Sequence, residues 1–192
     1  NNPWGVQIGA RGQGCGPVTT WHVDVEGDTT VADGSTGYPF ARIQDGIDAA
    51  SEGDTVLVAP GTYTGVRNRD LNLRGVNMVV RSSGGNDTTT IDCGLAGRAF
   101  LFEADEDTTS VIQGFSVRGA SMWREGDAGA IRCNGASPVL RDLRLSDNEI
   151  VSVRCDSAAP RLRNVWFGSN NGMPGGLLCR AGSNAVLDSV VF

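Results

Sequence analysis

Three stretches decide the fold: AIRCNGASPVLRDLRLSDN (residues 130–148), SVRCDSAAPRLRNVWFGSN (152–170) and LLCRAGSNAVLDSVVF (177–192). They superpose on their cysteines. Cys133 and Cys155 are 22 residues apart, and Cys155 and Cys179 are 24 apart. From each cysteine the next apolar position falls at Leu140, Leu162 and Leu187. Steps of 3 and 5 from those leucines then reach Leu143 and Leu145, Val165 and Phe167, and Val190 and Phe192. The same steps from Ile112 give Phe115 and Val117, and Asn148 and Asn170 each follow the last apolar position by 3. A period near 22 built from short strand-like pieces is too short for tetratricopeptide or ankyrin units and lacks their helical spacing. The leucine-rich pattern LxxLxLxxN is also absent. A parallel β-helix remains: short strands pair with their equivalents one coil away, about 4.8 Å apart. A single coil cannot bury its own face, so stability comes from stacking.

Upstream, Trp21, Val23 and Val25 alternate with His22 and Asp24, the period of a strand. The run GDTTVADGSTGYP (27–39) reads as loop on its Gly, Asp and Pro content. In PFARIQDGIDAASEG (39–53) the apolar residues Phe40, Ile43, Ile47 and Ala50 are spaced 3, 4 and 3, which is one face of an amphipathic helix over about 39–51. Pro39 suits its first turn and Gly53 its stop. DTVLVAPGTY (54–63) reads as a strand and a turn. Residues 1–20, rich in Gly, Asn, Pro and Thr, read as an irregular arm, with the solenoid over 21–192. The sequence breaks off at VVF, in mid-coil, and predicts an uncapped end. Exposed strand edges invite pairing, so self-association or a covering partner is expected there.

The segment DGSTGYPFARIQDGIDAASEGDTVLVAPGTYTG (33–65) resembles the opening of bacterial right-handed β-helix repeat proteins of the pectate-lyase-like superfamily. There a Pro-Phe-x-x-Ile-Gln helix caps the solenoid, and Gly-Asp-Thr-Val with Pro-Gly-Thr-Tyr begins the first coil. TTIDCGLAGRAFLFE (89–103) and SVIQGFSVRGA (110–120) resemble later coils, so the similarity runs over about 21–192. The resemblance implies an all-β, right-handed parallel β-helix with an N-terminal capping α-helix. It implies a protein that is secreted, periplasmic or on the bacterial cell surface. It does not fix an activity, because one fold hosts many functions.

Composition narrows the classes. The net charge is −6 and the pI about 4.7. An acidic chain lacks the basic surface that displaces counterions from nucleic acid, so no nucleic-acid partner is expected. No apolar run is long enough to span a membrane as a helix. Every one of the 16 basic residues is arginine, which excludes a lysine Schiff base or lysine general base. Any basic catalyst is an arginine or His22, and His22 has no serine or cysteine partner at a recognisable spacing. No Cys-x-x-Cys or Cys/His cluster points to zinc. Cys133, Cys155 and Cys179 alternate in phase with Ile131, Val153 and Leu177 and are expected to point inward as stacked thiols, with adjacent rungs inside disulfide reach. Cys15 with Cys93 is a further pairing that would tie the arm to the rod.

Polysaccharide lyases on this scaffold resemble one another in using acidic calcium ligands and an arginine or lysine base, whereas hydrolases need carboxylates a few ångströms apart. The acids here lie mostly in loops. Asp142 and Asp188 occupy related coil positions with Asn164 between them, so no carboxylate ladder is expected, and no catalytic residue or metal ligand is assigned. Arg132 and Arg154 are equivalent and point outward by parity. Two stacked guanidinium groups could grip an anionic sugar; the plainer reading pairs them with Asp156. The loop ASMWREGD (120–127) lengthens its coil and offers Trp123 and Asp127, and Trp166 is outward by parity, so that Trp123 and Trp166 could stack on sugar rings. The sequence reading is an extracellular or cell-surface module with a structural, adhesive or assembly role. Its alternatives are a calcium-dependent polysaccharide lyase and a non-catalytic carbohydrate-binding module, both with a polysaccharide partner.

Overall fold

The computed structural model describes residues 18–121, 129–171 and 175–192. It is all-β apart from one short helix, and winds as a parallel β-solenoid of about five turns. Strand β1 (Thr20–Val23) precedes α1 (Ile43–Ala49). The first coil holds β2 (Thr55–Val58), β3 (Gly61–Thr64) and β4 (Leu71–Asn72). The second holds β5 (Val79–Ser82), β6 (Thr89–Asp92) and β7 (Phe100–Phe102), and the third β8 (Val111–Gln113), β9 (Ser116–Arg118) and β10 (Ile131–Asn134). The fourth and fifth merge two strands into one: β11 (Val139–Leu145) with β12 (Val153–Asp156), then β13 (Arg161–Phe167) with β14 (Leu177–Arg180). Strand β15 (Val186–Val191) follows.

Every pairing between these strands is parallel, and among the described residues they form a ten-stranded and a five-stranded sheet. The register is the one the repeats predict. Leu140 lies opposite Ile112 and Leu162, Leu162 opposite Leu187, and Cys155 opposite both Cys133 and Cys179. Val56, Val80, Ile112, Leu140 and Leu162 make one fully buried column. Tyr63, Ile91, Val117 and Leu145 make a second, and Leu71, Phe100, Ile131 and Val153 a third. Each inward side chain therefore meets its own kind above and below, which is how a narrow coil reaches close packing.

The 3-residue step has a local cause. Asp142, Asn164 and Ser189 carry φ of 53°, 50° and 55°, and Gly114 carries 81°. These left-handed residues turn the corner between two faces. The turn resets side-chain parity, so Leu140 and Leu143 both point inward although they are an odd number apart. Asp142 and Asn164 tolerate this conformation better than most residues, and Asp142 ties the corners together. Its Oδ1 accepts from Asn164 Nδ2 at 2.9 Å and its Oδ2 from Gln113 Nε2 at 2.9 Å. Asp188 does not occupy the position of Asp142, contrary to the repeat spacing: it pairs with Arg163 one position before the corner, and Ser189 is the corner residue.

A second polar column lies inside the wall. Asn148 is fully buried. Its Oδ1 accepts from the Ala120 N–H at 2.9 Å, and its Nδ2 donates to Asn170 Oδ1 at 3.0 Å and to the Val117 carbonyl at 3.3 Å. Asn170 Nδ2 continues the chain to the Leu145 carbonyl at 2.9 Å.

The helix is shorter than 39–51. Arg42 is extended, with φ −131° and ψ 137°, and Phe40 bridges in parallel to Val23, so the chain is still extended three residues after the expected start. Ile43 and Ile47 are buried as the spacing required, and α1 lies against β1, β2 and β4. Strand β1 begins at Thr20 and pairs with β2, and the Trp21 indole donates to Asp54 Oδ2 at 3.1 Å.

Candidate functional site

Arg132 and Arg154 sit where the repeats place them, outward on β10 and β12 of the five-stranded sheet and directly opposite each other. Leu101 of β7 and Leu178 of β14 extend their row. The next outward row is Asn134, Asp156 and Arg180. Arg154 is largely buried and bidentate on Asp156, Nε to Oδ2 at 2.7 Å and Nη2 to Oδ1 at 3.1 Å. Arg132 Nε lies 3.7 Å from the same oxygen. Both guanidinium groups therefore reach Asp156, their shared counter-ion.

Further groups gather at the start of the same strands. Arg98, only 4% exposed, is near Arg154. Burial lowers its pKa first and the Arg154 charge adds to this, while Asp70 and Glu103 pull the other way. Arg69 holds Asp70 Oδ2 at 2.7 Å, and the Arg98 backbone N–H donates to Asp70 Oδ1 at 3.2 Å. Five arginines (69, 98, 132, 154, 180) thus face three carboxylates (Asp70, Glu103, Asp156) on one side of a chain whose net charge is −6. Arg180 is exposed at the edge of this band.

Trp166 does not join them. It lies on β13, in the other sheet, paired with Arg144 and Val191. The Arg144 guanidinium sits 4.5 Å from its ring centroid, and the ring folds back over Gly168, where a Cβ would collide with it. Half-buried and held by a cation–π contact, it is part of the wall surface, with one ring face already taken. Trp123 and Asp127 lie outside the described residues.

A calcium-dependent lyase needs several oxygen ligands around one ion. Among the described residues no group of three or more His, Cys, Asp or Glu could hold a metal. On the basic face Asp156 is already bound by Arg154, and Asp70 by Arg69. The described donors there do not fit calcium.

Sequence reasoning missed Arg69, Arg98 and Arg180. The signal for Arg180 was present: it follows Cys179 as Asp156 follows Cys155, so the cysteine register alone places it beside Asp156. Arg98 lies in a coil without a cysteine marker and precedes its strand, so nothing in the repeat located it.

These features define a parallel β-solenoid with arginines and their shared carboxylates across one sheet. No protein-family model matches the sequence, and no curated protein is similar to it in sequence. A solved structure that is similar is a rhamnogalacturonan lyase, with a TM-score of 0.70 and 15% identity. The match covers 91% of this chain and 51% of that one, so the chain spans about half the length of that enzyme. At this identity the likeness speaks for the fold. Among the described residues no helix is long and apolar enough to cross a membrane.

Proposed function

We propose that this chain is the β-solenoid of a carbohydrate-active protein of the polysaccharide-lyase type, one that takes an acidic polysaccharide along the face of β7, β10, β12 and β14. The observation that carries the reading is the arrangement of arginines there: Arg132 and Arg154 opposite each other on adjacent strands, both reaching Asp156, with Arg180 on the next strand opposite that carboxylate. Arg180 and Arg132 offer planar donors that suit sugar carboxylates, and the buried Arg154–Asp156 pair fixes the surface on which they stand. The likeness to a rhamnogalacturonan lyase supports a polysaccharide as partner. It favours this reading over a purely structural or adhesive role.

The test has two arms. Retardation of the chain in gels containing polygalacturonate, rhamnogalacturonan or a neutral glucan measures binding. Release of unsaturated products, followed by ultraviolet absorbance with calcium and with a chelator, measures turnover. The expected result is retardation by the acidic polymers only, weakened several-fold by Arg180→Ala and by Arg132→Ala and unchanged by Arg163→Ala on the other sheet. Unsaturated product assigns lyase activity; retardation without product assigns a binding module on the same face. Equal retardation by the neutral glucan, or no loss in either arginine variant, overturns the basic face as the site.

A further inference from the structure

Cys133, Cys155 and Cys179 occupy equivalent inward positions on three successive coils, and all three are free thiols. Directly paired residues on neighbouring parallel strands lie about 4.8 Å apart, inside the Cα separation that a disulfide accepts. Cys133 and Cys155 are buried and Cys179 is exposed. The middle thiol has a thiol on the rung to either side. The bond to Cys133 comes first in lowering the Cys155 pKa, with burial opposing and Cys179 assisting. Cys133 is raised by its contact with Cys155 and by burial, and Cys179 is raised as well, by burial first and then by Cys155, so its place as the entry point rests on its exposure. Cys93 differs: it is buried away from this column, and burial followed by the charges of Asp70 and Asp92 pushes its thiol up to about 12.

We propose that the column is a site of thiol oxidation, in which Cys179 takes up a low-molecular-weight disulfide and Cys155 resolves it into a Cys155–Cys179 bridge across two coils. The chemistry balances. The Cys179 thiolate attacks one sulfur of glutathione disulfide, forms a mixed disulfide and expels one glutathione thiolate. The Cys155 thiolate then attacks Cys179 Sγ, breaks the mixed disulfide and expels the second glutathione. Two protein thiols lose two electrons, the oxidant gains them, and the two protons end on the released glutathione molecules. Cys155 is positioned for the second step because it lies one rung from Cys179. Cys133, two rungs or about 10 Å away, is beyond disulfide reach. The bridge would lock two coils through the core without disturbing the outer face.

The experiment incubates the folded full chain with glutathione disulfide, alkylates remaining thiols and maps peptides by mass spectrometry without reduction. The wild type should give a Cys155–Cys179 crosslinked peptide carrying no glutathione, with Cys133 and Cys93 alkylated once the protein is unfolded. Cys155→Ala should stop at one glutathione on Cys179, and Cys179→Ala should leave Cys133 and Cys155 reduced, with oxidation at least about tenfold slower. Circular dichroism confirms that each variant is folded; if one is not, the other decides. A wild type that stops at the glutathione adduct, a Cys133–Cys179 bridge in Cys155→Ala, or a Cys133–Cys155 bridge with Cys179 still alkylated would each overturn the proposal.

Discussion

Replacing Asn148 by alanine removes the polar link between coils from the buried column and nothing else of comparable size. The loss can be worked from its partners. The Ala120 N–H loses the acceptor it holds at 2.9 Å, and Ala120 is fully buried, so that donor is orphaned. An unsatisfied buried donor costs about 1–3 kcal/mol. The two bonds from Nδ2 also vanish, but their acceptors keep partners: the Val117 carbonyl still takes the Ser146 N–H at 3.1 Å, and Asn170 Oδ1 still takes the Asn148 N–H at 3.1 Å. Those two bonds therefore count only their net worth, about 0.5–1.5 kcal/mol each. The sum is about 2–6 kcal/mol, a large part of the stability of a single domain. Urea unfolding followed by circular dichroism measures it, with the m-value checked for constancy. A loss below about 0.5 kcal/mol, the scale of an exposed substitution, would show that Asn148 is solvated and that the coils do not stack as described.

Two further outcomes follow from charged groups. Asp156→Ala removes the bidentate carboxylate from the Arg154 guanidinium, whose side chain is 9% exposed, and should cost about 2 kcal/mol or more in the same assay, whereas exposed Asp188→Ala should cost less than about 0.5 kcal/mol. Asp54 gives a pH dependence. Burial disfavours its charge, but the N–H groups of Ser51 and Thr19 and the Trp21 indole outweigh this and hold its carboxyl below the usual value. Because the folded pKa is the lower one, the stabilisation is complete above the unfolded value near 3.9 and drains away as pH falls through the folded one. The urea midpoint should therefore drop below about pH 5 more steeply in the wild type than in Asp54→Asn; parallel profiles would refute the assignment.

The winding fold was legible because the coil writes itself into the sequence: Cys133, Cys155 and Cys179 mark the register, and Leu140, Leu162 and Leu187 confirm it. The odd step from Leu140 to Leu143 was visible, but its cause, a left-handed residue at 142, 164 and 189, was not. Asp, Asn and Ser at those positions share a conformation rather than a chemistry, which is also why Asp188 was misaligned. The helix was over-extended because Phe40 fits the helical spacing yet is captured by Val23 through a strand bridge, a tertiary contact that overrides local pattern. The pairing of Arg154 with Asp156 was readable from one strand. The basic band was not, since Arg69, Arg98 and Arg180 converge only through coil stacking, and charge carries no periodicity that separates a shared face from scattered solvated positions.

Coil stacking itself can be measured with pairs of spin labels. His22, Leu57, Arg81 and Asp188 lie on one outward column at successive or counted rungs of the parallel register. At about 4.8 Å per rung, electron–electron dipolar spectroscopy should give backbone separations to Asp188 of roughly 29, 24 and 19 Å for His22, Leu57 and Arg81, falling by one rung at each step. Distances that fail to shorten along that series, or that return all three sites to within one spacing of Asp188, would mean the chain does not wind as a solenoid.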